Sequence, residues 1–118
     1  MNNLPETIYY ADQNILERIE SEFELIDRKD WYILYQNKAD KSFWRLDEWD
    51  KHQEQFFVRL ETKENWTKYN DQNLRMELLK KYRGTTDQKC SWKGCDKHSL
   101  NELAICEFHA YNEMGLRK

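Results

Sequence analysis

The chain has 118 residues, of which 35% are charged and 14% aromatic, with one proline, three glycines and a formal net charge of −3. That length holds one compact domain plus, at most, a small metal-stapled module, and the core has to rest on Trp, Tyr and Phe. No apolar run reaches the length of a membrane span and the start, MNNLPETIYY, lacks the basic and apolar regions of a secretion signal, so a cytoplasmic chain with no membrane partner is expected.

In chain order, Asp12 is placed to cap a helix over Asn14 to Phe23. Ile15, Leu16, Ile19 and Phe23 share one stripe of it, and Glu17, Glu20 and Glu22 face away. Trp31-Tyr-Ile-Leu-Tyr35 is rich in strand formers, residues 37–41 read as a turn, and Ser42 to Leu46 is a second strand, which makes 31–46 a hairpin. Gln55 to Glu61 is a third strand, and its successive Phe56 and Phe57 predict a sheet covered on both faces. A helical stretch from Thr62 breaks near Asn70. Asp71 then starts a clearer helix carrying Leu74, Leu78, Leu79 and Tyr82, with Gly84 as its stop. The expected fold is α+β, a small antiparallel sheet with flanking helices over residues 1–85, followed by a zinc-binding module over 86–118.

That module carries the strongest chemical signal. Cys90, Cys95, Cys106 and His109 form C-x4-C, a gap of ten residues, then C-x2-H, and they include every cysteine of the chain. Two thiolates and a thiolate–imidazole pair, each at turn spacing, are the ligand set of a tetrahedral Zn²⁺. An odd number of cysteines in a chain with no mark of secretion fits disulfides poorly. Four protein ligands close the coordination shell, which predicts a structural zinc rather than a catalytic one. Gly94 supplies the backbone freedom a tight metal turn needs, Ser99 to Ile105 is expected as a hairpin or loop, and Cys106 starts a helix that stops at Gly115. The order is that of a small treble-clef-like finger. His98, only two residues past Cys95, is a rival to His109 as the fourth ligand.

Charge is unevenly spread. Residues 1–61 carry 8 Lys/Arg against 14 Asp/Glu, a net −6, and residues 62–118 carry 11 against 8, a net +3. The acidic half suits a basic partner. Asp47, Glu48, Trp49 and Asp50 mix acids with a side chain able to anchor a contact, and they are the candidate partner-binding residues. The basic half, with Trp92 in the knuckle for stacking, keeps open an alternative, a small zinc finger that binds nucleic acid or acts as a regulatory adaptor. No phosphate loop, nucleophile elbow or His-Glu-x-x-His occurs. His52 among carboxylates is an ordinary surface arrangement more often than a general base. No enzymatic activity is expected.

One stretch carries a resemblance. Ala11-Asp12, Arg18-Ile19, Asp30-Trp31-Tyr-Ile-Leu-Tyr35, Asp40 and Trp44-Arg45 resemble a family of small bacterial immunity proteins of polymorphic toxin systems, in which an Ala-Asp…Arg-Ile helix precedes a Trp-x-x-Leu-Tyr strand and a hairpin arm carrying an Asp and a Trp. The match covers roughly residues 11–46, and the finger lies outside it. The resemblance implies a protein that binds one cognate toxin tightly and blocks it, a role that an acidic surface opposite a basic toxin would serve.

Overall fold

The computed structural model describes residues 4–49 and 54–118. The chain divides into two compact units, Met1–Asp71 and Gln72–Lys118. Among the described residues the fold is α+β: a five-stranded antiparallel sheet, a two-stranded sheet and three α-helices.

The first unit begins with β1 (Ile8–Tyr10) and α1 (Gln13–Glu22). Asp12 caps α1 as its sequence position predicts, its Oδ1 accepting from the Ile15 N–H at 2.9 Å and satisfying one of the helix's open donors. The helix ends one residue earlier than expected, at Glu22. Phe23 already has extended backbone and opens β2 (Phe23–Lys29). β3 (Tyr32–Asn37), β4 (Phe43–Asp47) and β5 (Phe56–Leu60) complete the sheet, in the order β1-β5-β4-β3-β2 with every pair antiparallel. The turn over 37–41 is held by Asn37, whose Oδ1 accepts from the N–H groups of Ala39 and Asp40 at 2.8 and 3.1 Å.

The main core of this unit gathers Ile15 and Ile19 of α1 with Phe23, Ile33, Trp44, Leu46 and Phe57. Trp44 lies at its centre, 2% exposed, stacked on Phe57 at 4.8 Å and met edge-on by Phe23 at 6.0 Å. Phe56, Phe57 and Val58 are all buried, so successive residues of β5 meet cover on opposite faces, as the double phenylalanine predicts. Leu34, Arg45 and Val58 are direct cross-strand neighbours on the face opposite Trp44. Arg45 is buried there under a short 3₁₀ helix, Trp66–Lys68. Its Nη1 donates to the carbonyls of Trp66 (3.1 Å) and Tyr69 (3.0 Å). Nη2 lies 2.9 Å from Asp71 Oδ2, and the guanidinium sits 4.2 Å over the Tyr32 ring. One buried cation thus ties a loop of irregular backbone to the sheet.

The second unit opens with α2 (Gln72–Arg83), followed by β6 (Thr85–Lys89), β7 (His98–Leu100) and α3 (Glu107–Asn112). Its core gathers Leu79, Cys90, Leu100, Ile105, Cys106 and Ala110. The division into compact units falls at 71/72, because α2 turns Leu79 into the core built around the cysteines. Gly84 ends α2 at φ +76°, its N–H on the Lys80 carbonyl at 2.8 Å, and a Cβ there would lie 2.7 Å from Asn101 Nδ2.

Candidate metal centre and partner surface

The hairpin of β6 and β7 carries a knuckle between its strands, and α3 starts directly after Cys106. Cys90 and Cys95 lie on the knuckle. The Cys90 N–H donates to the Lys97 carbonyl at 2.8 Å and the Cys95 N–H to the Trp92 carbonyl at 3.1 Å, which closes a tight loop around Gly94 at φ +81°. Cys106 is the N-cap of α3, and His109 follows one helical turn later on the same side. The hairpin thus encloses the knuckle, whereas the sequence suggested a hairpin or loop only after it.

The ligand atoms of Cys90, Cys95, Cys106 and His109 all lie within 4.8 Å of one another. Cys95 Sγ is 3.7 Å from Cys106 Sγ, and His109 Nδ1 is 3.4 Å from Cys90 Sγ and 3.3 Å from Cys106 Sγ. The sulfur–sulfur spacing is far beyond a bond of about 2.05 Å, and all three cysteines are free. With metal–sulfur bonds of about 2.3 Å and metal–nitrogen bonds of about 2.0–2.1 Å, a tetrahedron has S···S edges of about 3.8 Å and S···N edges of about 3.6 Å. These three spacings are close to those edges and the remaining pairs lie within 4.8 Å, so the set is compatible with a tetrahedral metal ion. His98 stands apart: it is exposed, with its Nδ1 2.9 Å from the Thr86 carbonyl.

Local electrostatics favour thiolate at one position and thiol at another. Burial alone would raise the Cys90 thiol, but backbone N–H groups of Trp92 and Cys106 and the side chain of His109 outweigh it and bring Cys90 down to about 7. Burial pushes Cys106 up to about 11, and the adjacent Cys95 and Cys90 add to the rise. Three sulfurs this close cannot all carry charge without a cation among them. Trp92 stacks on the His109 ring at 4.6 Å and 12°, and Phe108 meets it edge-on at 5.2 Å, which fixes the imidazole's orientation.

The candidate partner residues are placed unevenly. The Asp47 carboxylate accepts from the Phe56 N–H at 3.0 Å, and its carbonyl accepts from Gln55 Nε2 at 2.9 Å, so Asp47 joins the ends of β4 and β5. Glu48 Oε1 is 3.4 Å from Arg28 Nε. Trp49 is 73% exposed. Asp50 and His52 lie outside the described residues.

Sequence reasoning missed Trp31. It was expected to open a strand, yet Asp30 and Trp31 are the two central residues of the β2–β3 turn, at φ +54° and +70°, and Trp31 is 81% exposed. Two positive φ values between paired strands mark the turn type that Asn-Gly usually supplies. The Glu48 N–H donates to the Trp31 carbonyl at 2.9 Å, which places Trp31 and Trp49 at the same end of the sheet. The signal that would have found it is the two-residue gap between Lys29 and Tyr32.

No family model matches the sequence, and neither curated proteins nor solved structures gave a match. No helix among the described residues is long and apolar enough to cross a membrane.

Proposed function

We propose that this chain is an immunity-type binding protein that neutralises one cognate bacterial toxin, and that it carries a structural zinc ion on Cys90, Cys95, Cys106 and His109. The observation that carries the partner reading is the exposure of Trp31 and Trp49 at one end of the sheet. Two rigid aromatic side chains with little buried area of their own are the anchors from which hot spots are made. Acids surround them: Asp30 and Glu48 are sequence neighbours, and residues 1–71 carry 10 Lys/Arg against 16 Asp/Glu, a net −6. Such a surface attracts a basic partner quickly and repels acidic ones. The resemblance over residues 11–46 agrees with this. The protein works by binding, without turnover, and zinc is favoured over other metals because a Cys₃His tetrahedron is a common structural zinc set.

The test is protection. Co-expression with the toxin encoded beside it should rescue growth, and Trp31→Ala with Trp49→Ala should abolish the rescue while leaving the protein folded. Failure to protect against any neighbouring gene product overturns the reading.

A second reading has its own observation. Residues 72–118 carry a net +3, from 9 Lys/Arg and 6 Asp/Glu, with Trp92 and Phe108 exposed. This favours nucleic-acid contact by the C-terminal unit. A salt-dependent gel shift on RNA and DNA, with no toxin protection, would select it.

A further inference from the structure

The C-terminal unit holds a second polar cluster that neither the metal centre nor the tryptophan surface uses. Lys80 of α2, Thr85 of β6, Lys97, His98 of β7 and Glu107 of α3 line a cleft of about 220 Å³. Four of them are exposed and alone would be a solvated charge cluster. Glu107 is different. It is 3% exposed, and its Oε2 is buried with no hydrogen-bond partner among the described residues. Lys97 Nζ stands 3.7 Å from that oxygen, an ion-pair distance beyond hydrogen-bond reach. A buried carboxylate oxygen without a donor is costly and calls for one. The Nδ1 of His98 faces the Thr86 carbonyl, which only accepts, so that nitrogen carries the hydrogen and Nε2 is left to meet a ligand.

The chemistry of a fitting ligand follows. Two ammonium groups against one carboxylate disfavour a cation and attract an anion. The Glu107 oxygen accepts only, so the same molecule must also present a donor. The cleft is smaller than the roughly 300–1,000 Å³ that encloses whole drug-sized ligands, and it suits a phosphate with the adjoining sugar carbons. The geometry points to a binding site for a ribose phosphate, in which Lys80, Lys97 and Thr85 hold the phosphate oxygens and Glu107 accepts from the neighbouring ribose hydroxyl. The net +3 of the unit and its exposed Trp92 and Phe108 suit a ribonucleotide, with its phosphate charge and its base. A free ribonucleotide and an RNA strand present the same hydroxyl–phosphate pair.

Calorimetry on the full zinc-loaded chain tests this with adenosine 3′-monophosphate, its 2′-deoxy counterpart, inorganic phosphate, and an eight-residue adenine RNA and its DNA equivalent. The ribonucleotide should bind at least about tenfold more tightly than the deoxy form, because a site built around a hydroxyl leaves its carboxylate unmatched without it. Glu107→Gln, with zinc content unchanged, should shrink that ratio. Lys80→Gln with Lys97→Gln should weaken both nucleotides alike and flatten the salt dependence. RNA tighter than the nucleotide names a strand as the source, and equal affinity names the free nucleotide. Should Glu107→Gln lose its zinc, the ribo/deoxy ratio and the lysine pair decide. Equal affinity for ribo and deoxy forms, no saturable binding, or binding indifferent to the lysine pair overturns the proposal.

Discussion

Removing the proposed zinc should unfold one half of this protein and spare the other. The C-terminal unit has 47 residues, Gln72–Lys118, and six buried residues in its core, two of them the cysteines Cys90 and Cys106. At about 0.05–0.15 kcal/mol per residue, a unit of this size is expected to have about 2–7 kcal/mol of stability. A structural zinc contributes about 10–16 kcal/mol of apparent binding free energy at neutral pH. The metal's share exceeds the whole, so the metal-free unit should be unfolded at 25 °C. Met1–Asp71 has its own aromatic core on Trp44 and Phe57 and contains none of the four ligands. Chelation, or Cys106→Ala, should therefore erase the NMR dispersion of residues 72–118 and leave that of the sheet. Trp44 and Trp66 are buried in the first unit and Trp92 stacks on His109 in the second, so near-ultraviolet dichroism should fall only in part. Elemental analysis should return one zinc per chain. A protein that stays fully folded after chelation, one that loses both units together, or one that holds no stoichiometric metal would refute the reasoning.

Other outcomes follow from the same contacts. Arg45→Met should destabilise the first unit by about 3–5 kcal/mol in urea titrations, because it deprives the partly buried Asp71 of its cation and two carbonyls of their donor. Adding Asp71→Leu should recover much of that loss, and a double variant as unstable as the sum would contradict the account. Trp49→Ala should shift stability by less than about 0.5 kcal/mol, since the side chain is 73% exposed, while costing about 2 kcal/mol or more in affinity for the proposed toxin partner; a loss of several kcal/mol in stability would show it packed instead. At pH 8, zinc binding should release about two protons, because the metal-free unit is unfolded and its three thiols then titrate near the ordinary value of about 8.5. As pH falls below that value all three thiols hold their protons more fully, and zinc affinity should drop further. Calorimetry in buffers of different ionisation enthalpy measures the count, and zero released protons would contradict it.

Much of this was legible in the sequence because the signals were local. Asp12 ahead of an apolar stripe, paired phenylalanines, and cysteines at turn spacing each act within a few residues. What escaped depended on partners distant in the chain. β2, Phe23–Lys29, reads as polar because six of its seven residues are exposed at a sheet edge, and only its pairing with β3 makes it a strand. β6, Thr85–Lys89, is largely exposed and polar for the same reason, and among the described residues its strand partner is β7. The role of Arg45 was invisible, since a charged residue inside Phe-Trp-Arg-Leu-Asp reads as solvent-facing until Trp66, Tyr69 and Asp71 close over it. The fourth candidate ligand was ambiguous between His98 and His109 until helical geometry placed His109 beside the sulfurs.

The turn at Asp30 and Trp31 has a consequence for anyone improving this protein. A tryptophan at φ +70° is strained relative to glycine, by roughly 1–2 kcal/mol for a left-handed residue. Directed evolution for heat resistance, or any scheme that restores favourable turn residues, would be drawn to Trp31→Gly and would score it as an improvement. The same change deletes one of the two exposed aromatics of the proposed partner surface. Under the proposed binding role, selection for robustness and selection for neutralisation should pull this single position in opposite directions, and a thermostable variant carrying glycine there would be durable but poor at binding.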